Sequence, residues 1–366
     1  MIFNYYSPGV IPATGISFPG IDGDLQGLSI SARPIIKSYI MQQTLRRSLL
    51  RKMIFLFFLF AGCTRHQHPQ TATASAVSPQ RTITAAGLAA AAAVTSPFTT
   101  AYVEVNSNSL KNPGCYTYGS PARQLFSFAI IFAANINYTN NQPALYFNPQ
   151  VQNTLNSGYV AYLKSLGIKV LLDVLGNHQN AGWGCFTTYR AADAFAVLCA
   201  NAVTQYGLDG IDIDDEYSSC TTDTNSLVLA VSALRSRLGT TKYITKALFS
   251  DIQYFNATYN GKKAGDILDY GWEMTYDSAN YSGRLQPYVN AGMAKTKLSI
   301  GVDVNASDQT TAGQFARNNG YAGVMIYNVS NNSQASLSKV SQALFNSATT
   351  VKPNCLQQDS SHLQGF

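Results

Sequence analysis

Leu208-Asp209-Gly210-Ile211-Asp212-Ile213-Asp214-Asp215-Glu216-Tyr217 is the stretch on which both the fold and the chemistry of this 366-residue chain turn. Read as a strand, it sends alternate side chains to opposite faces. Asp212, Asp214 and Glu216 then share one face, and Ile211 and Ile213 take the other. Three carboxylates facing one way inside a core are costly, because each desolvated charge disfavours the next. Such an arrangement persists at functional sites rather than in scaffolds. The plainer alternatives are an acidic surface strand or a calcium loop. A calcium loop takes its oxygen ligands through a Gly-containing turn, whereas these acids are interleaved with Ile.

With 46% hydrophobic residues the chain can bury one large core or two small ones. Only 12% of its residues are charged. Tyr, Asn, Ser and Thr are abundant, which suits an exported protein with a sugar-facing surface. Most of the +6 net charge comes from residues 1–63, which hold six basic and two acidic side chains. The rest carries 19 basic against 17 acidic residues, so no basic stripe points to nucleic acid.

Residues 1–40 show neither helical nor strand periodicity, and read as disordered or as lying upstream of the true start. Residues 41–63 follow the plan of a signal peptide. Arg46, Arg47, Arg51 and Lys52 form its basic part, and the apolar run from Met53 to Phe60 is too short to cross a bilayer. Ala61-Gly62-Cys63 then resembles a bacterial lipobox, although Phe60 stands where Leu is usual. The resemblance implies lipidation of Cys63 and an exported lipoprotein of the cell envelope, facing the periplasm or the surface. A plain secretory signal is the alternative. Residues 64–100, rich in Thr, Ala, Ser and Pro, read as a flexible tether.

From residue 101 the texture changes. Strand-like apolar runs fall at 101–105, 125–132, 168–175, 208–214, 242–249, 267–275, 297–302 and 321–327. Several are hydrophobic on consecutive residues, as strands buried on both faces should be. Helix patterns lie between some of them, at 151–166, 191–206, 226–238 and 309–319. The alternation predicts an α/β fold, a (β/α)8 TIM barrel forming a single domain over 101–346, with a polar tail over 347–366. Short gaps after the first, fifth and sixth runs predict loops there in place of helices.

Asp209-Gly210-x-Asp212-x-Asp214-x-Glu216 resembles the signature of glycoside hydrolase family 18, the chitinases and endo-β-N-acetylglucosaminidases. The ending Asp214-Asp215-Glu216-Tyr217 is closer to the endoglycosidases of Endo H type. The likeness extends along the domain, through Tyr102-Val103-Glu104-Val105-Asn106 and Ile131-Phe132-Ala133-Ala134-Asn135-Ile136-Asn137. It continues at the third run, in Lys169-Val170-Leu171-Leu172 and Leu175-Gly176-Asn177-His178-Gln179. Asp173 departs from the Ser expected there. Pointing inward, it would add a fourth acid to the site.

The resemblance makes the barrel catalytic, with its site at the C-terminal strand ends, and implies substrate-assisted hydrolysis with retention. Glu216, read as last in its strand, protonates the leaving oxygen. The substrate's 2-acetamido oxygen attacks the anomeric carbon and gives an oxazolinium. Asp214 accepts the acetamido N–H, and Asp212 shares a proton with Asp214, since packed carboxylates cannot all ionise. Met274-Thr275-Tyr276-Asp277 resembles the Met-x-Tyr-Asp motif, so Tyr276 is the candidate donor to the acetamido oxygen and Asp277 a subsite contact. A buried core Tyr is the plainer reading. Met325-Ile326-Tyr327-Asn328 ends on Tyr-Asn, as in Endo H-type enzymes, where chitinases place a Trp. Glu104, Asn135, Asn137, Asn177, Gln179, Tyr327 and Asn328 are the candidate glycan contacts; Glu104 and the Asn and Gln residues among them suit loop caps equally well.

His178 stands apart from the other three histidines, so no metal or other cofactor is expected. Neither a phosphate loop nor a Ser-His-Asp arrangement supports nucleotide or acyl chemistry. With Cys63 lipidated, five cysteines remain, at least one of them unpaired. Cys115, Cys185 and Cys220 follow strands and share the barrel's top, but the sequence does not choose a pair. The implied partners are N-glycans, high-mannose or hybrid, cut at their GlcNAc-GlcNAc core, and a membrane reached through the lipid; a monomer is expected. A chitinase is the runner-up, and a catalytically dead glycan-binding barrel a reading of another class.

Overall fold

The two-faced pattern of Ile211 and Ile213 against Asp212 and Asp214 repeats around the whole domain. In the computed structural model, which describes residues 91, 93–276 and 278–358, eight parallel strands close on themselves. They are β1 (Phe98–Glu104), β2 (Phe128–Thr139), β3 (Lys169–Gly176), β4 (Gly210–Asp214), β5 (Tyr243–Leu248), β6 (Tyr270–Glu273), β7 (Leu298–Asp303) and β8 (Gly323–Tyr327). Each pairs with its sequence neighbours. Closure comes where β1 lies between β8 (Phe98↔Gly323) and β2 (Thr100↔Phe128). The barrel expected from the alternation is therefore present. Cys63, the segments 1–40, 41–63 and 64–90, and Asp277 lie outside the described residues.

Alternate side chains build two cores. Phe98, Tyr102, Phe128, Tyr270, Trp272 and Met325 fill the barrel's interior. Ala101, Val103, Ile211, Ile213, Val324 and Ile326 point outward, into the layer beneath the helices. Each fully buried Ile contributes roughly 1.5–3 kcal/mol by leaving water. Gly210 has its own reason. A Cβ there would sit 2.0 Å from the Tyr243 carbonyl oxygen, so a larger residue would force β4 away from β5.

Around the barrel run α1 (Pro149–Asn156), α2 (Tyr159–Ser165), α3 (Tyr189–Gln205), α4 (Ser226–Leu238), α5 (Ala264–Ile267), α6 (Tyr281–Asn290), α7 (Gln309–Asn319) and α8 (Gln334–Phe345). The single helix expected over 151–166 is split into α1 and α2, because Gly158 adopts φ +80° between them. The first and fifth connections carry short 3-10 turns and small strands, with one four-residue helix in the fifth, much as the short gaps suggest. The sixth differs: α6 stands where a loop was expected. Asn280 caps it by accepting the Gly283 N–H at 3.1 Å. It buries Tyr281, Arg284, Leu285 and Tyr288, a helical spacing that Gly283 and Pro287 obscure in the sequence.

The polar tail is also more ordered than its composition suggests. Thr349–Val351 pairs antiparallel with Tyr116–Tyr118. A disulfide joins Cys115 to Cys355, and the Gln357 N–H donates to Asn112 Oδ1 at 2.8 Å. At the other end β1 begins at Phe98, three residues before the run read from the sequence.

Candidate active site

Asp212 and Asp214 point into the barrel, 0% and 2% exposed, and Asp173 on β3 joins them at 0%. Asp173 is in register with Asp212, and Asp212 with Thr245 of β5. Three donors converge on Asp212: the hydroxyls of Tyr102 and Thr245, and Trp272 Nε1 at 2.9 Å. Burial pushes the Asp212 carboxyl up, and these hydrogen bonds pull it back down. Asp173 has no donor on either oxygen and lies against Asp212. Burial first, then the charges of Asp214 and Asp212, hold its carboxyl well above the usual range. Of the two, Asp173 is the group that burial and its neighbours favour in the protonated form. The sequence reading paired Asp212 with Asp214; cross-strand register adds Asp173 as a further neighbour that only the fold reveals.

Strand β4 ends at Asp214, so Glu216 is not its last residue but the second residue of the loop beyond. Its position is fixed by backbone. The Glu216 carbonyl accepts Gly176 N–H at 3.1 Å, and the Tyr217 carbonyl accepts His178 N–H at 2.6 Å. Gly176 makes this approach possible, because a Cβ there would lie 2.2 Å from the Glu216 oxygen. The disulfide Cys185–Cys220 ties the loop after β3 to the loop carrying Glu216, while Cys199 is buried and free. Burial raises Glu216; the charge of Lys246 opposes this and Asp215 adds to it. Burial, then Glu216, hold Asp214 well above the ordinary carboxylate range. Such a pair suits one proton, not two charges.

Tyr276 and Tyr327 stack with ring centroids 5.7 Å apart. Burial pushes the Tyr276 phenol well up, helped by Tyr327 and by the charge of Asp214. Tyr276 thus stays a protonated donor beside the carboxylates. Tyr327 is likewise raised, by burial and then by Glu104 and Asp303. Glu104 accepts the Asn106 N–H at 3.0 Å and Nδ2 at 2.6 Å. The remaining candidates hold loops. Asn137 accepts from Asn177 at 2.7 Å, Gln179 Oε1 takes the Tyr138 N–H at 2.5 Å, and Asn135 donates to the Gly176 carbonyl at 3.2 Å. Asn328 accepts from Asn108 at 2.8 Å. Tyr217, 52% exposed, leans on His178 at the rim, with ring centroids 5.1 Å apart.

A family model for Glycosyl hydrolases family 18 matches residues 99–312, which carry every carboxylate described above. The chain belongs to this family. Among family 18 relatives, the endo-β-N-acetylglucosaminidase of Flavobacterium sp. (strain SK1022) is 37% identical over 269 residues, 69% of this chain and 82% of the relative. Endo-β-N-acetylglucosaminidase F1 of Elizabethkingia meningoseptica is 29% identical over 75% of this chain and 84% of its own length. Bacteroides thetaiotamicron EndoBT-3987, solved with a Man5GlcNAc product, superposes with a TM-score of 0.61 at 24% identity. That match covers 72% of this chain and 64% of the other, and it supports the family 18 fold.

Sequence reasoning left the role of Asp173 open and passed over Tyr102, Thr245 and Trp272 as donors to Asp212. It also missed Lys246, 1% exposed within β5. A lysine inside an apolar strand is a visible signal, since lysine is almost never fully buried unless paired.

Proposed function

We propose that this chain is an endo-β-N-acetylglucosaminidase that hydrolyses the GlcNAc-β-1,4-GlcNAc core of N-linked glycans. The observation that carries the reading is Asp214, deep on β4, two residues from Glu216, with Tyr276 beside both. Glu216, raised and holding the proton, donates to the leaving oxygen. The acetamido N–H, donating to Asp214, favours its ionised form against burial and leaves the shared proton on Glu216. Tyr276 donates to the acetamido oxygen as it attacks the anomeric carbon. Glu216 then removes a proton from water, and the oxazolinium opens with retention. Asp212 remains the fixed anion beneath, anchored by its three donors and by the Asp173 proton.

Substrate class follows from the relatives. Two relatives that each cover more than two thirds of this chain are named endo-β-N-acetylglucosaminidases, and EndoBT-3987 was also solved in complex with Man9GlcNAc2Asn. We expect high-mannose or hybrid glycans as substrates, and a monomer. Chitinase 1 of Aphanocladium album is similar over only 42% of the chain, at 27% identity, which favours the endoglycosidase. The test is direct. Incubation with a high-mannose glycoprotein should release glycans that leave one GlcNAc on Asn, read as a gel shift and a mass change. Cleavage of chitin with no glycan release would refute the assignment. For placement we propose a lipid on Cys63, with the segment read as a tether over 64–100 ending where Val94 meets Tyr270 and β1 begins.

A further inference from the structure

Lys246 is in register with Ile213 and so lies on the outer face of the sheet, behind the carboxylates. Its Nζ is 2.6 Å from Asp251 Oδ2 and donates to the Ala247 carbonyl at 2.9 Å. Asp251 is held in turn by the Tyr288 hydroxyl at 2.6 Å. Asp215, between Asp214 and Glu216, accepts the Gly184 N–H at 3.0 Å on this same outer side. Burying a lysine and an aspartate in a sheet costs several kcal/mol per ion before their attraction offsets it. An apolar residue at 246 would fill a β5 strand without that cost, so packing alone does not account for Lys246.

We propose that Lys246 is a positioning residue for hydrolysis: ion-paired with Asp251 on the outer face of β5 and in register with Ile213, it sets a buried positive charge behind β4 that offsets the negative charge of Asp214, Asp215 and Glu216. The inference rests on the hydrolytic reading above.

Charged groups surround Lys246 on several elements. From β4 and its loop come Asp214, Asp215 and Glu216, with Asp212 and Asp173 inside the barrel. Asp251 follows β5. From β6 and α6 come Glu273, ion-paired with Arg284, and Tyr288. Burial acts to lower the Lys246 ammonium, but Asp251 and Asp215 more than restore it, so it stays charged. Its field lowers Asp214, Asp215 and Glu216 alike, against the burial that raises each. Without it, burial and mutual repulsion stand unopposed, and the acids hold their protons to higher pH.

The test is the pH profile of kcat/KM on a high-mannose glycopeptide, for wild type, Lys246→Arg, Asp215→Asn and the double variant Lys246→Met with Asp251→Asn. The double variant removes both members of the Lys246–Asp251 ion pair, so neither is left without the other. Both limbs of its profile should move to higher pH by roughly half a unit or more, with KM little changed. Asp215→Asn removes an anion beside Glu216, so its limbs should move the other way, and Lys246→Arg should stay near wild type. Limbs unmoved in Asp215→Asn overturn the proposal even if the double variant does not fold. An active wild type with unmoved variants refutes this inference alone, whereas a wild type inactive on every GlcNAc-containing substrate refutes the hydrolytic reading with it.

Discussion

Asp173 and Asp212 face each other across the β3–β4 pair, one with no donor on either oxygen and the other with three. The asymmetry favours the proton on Asp173 and the charge on Asp212. It also makes the interior of the barrel an arrangement of fixed anion, shared proton and working pair, rather than four equivalent acids.

Asp173→Asn should keep the hydrogen bond to Asp212 and gain stability relative to wild type as pH rises. The folded chain holds a proton on Asp173 that the unfolded chain releases near the ordinary pKa of about 3.9. Stability from this group is complete below that value and is lost as pH climbs toward the raised folded value. Melting temperatures of the two proteins, compared from about pH 4 to 7, should diverge in favour of the Asp173→Asn variant. A pH-independent difference would mean that Asp173 is ionised in the fold.

Glu216→Gln removes the proton donor while keeping its shape. Glycan release should fall by several orders of magnitude, beyond the roughly 10²–10⁴ typical of losing one acid-base group, because the same residue serves both steps. Binding of an N-glycan, followed by calorimetry, should survive. Retention of more than a few per cent of the activity would show the acid to be misassigned.

Tyr276→Phe should lower kcat by roughly 10²–10³ with little change in KM, as for removal of one preorganised donor to a developing charge. In wild type, a thiazoline analogue of the oxazolinium should inhibit, since the site is complementary to that intermediate. A covalent glycosyl-enzyme trapped on Asp214 would instead establish a protein nucleophile.

Cys63→Ser should move the enzyme from the membrane to the soluble fraction of cells that express it. The residues after Cys63 carry no acidic run, and we expect wild-type enzyme in intact cells to resist added protease from its place facing the periplasm. Solubility of both proteins would dispose of the anchor, and protease-sensitive wild type of the periplasmic orientation.

By itself, the sequence determined the barrel and the face of β4 on which its acids lie. Period-two alternation survives in any strand, so Ile211 and Ile213 could be set against Asp212 and Asp214 from residue order alone. The tertiary structure decided what lies between strands. Asp173 meets Asp212, Tyr102 and Trp272 reach the same carboxylate from residues 110 and 60 positions away, and Cys115 finds Cys355 across 240. It also joined Asn177 to Asn137 and Gln179 to the Tyr138 backbone, and gave Lys246 its counter-ion. Side-chain direction along one strand is local geometry and can be read from the chain. Which charge answers which depends on register and barrel closure, and those are settled by packing all eight strands at once.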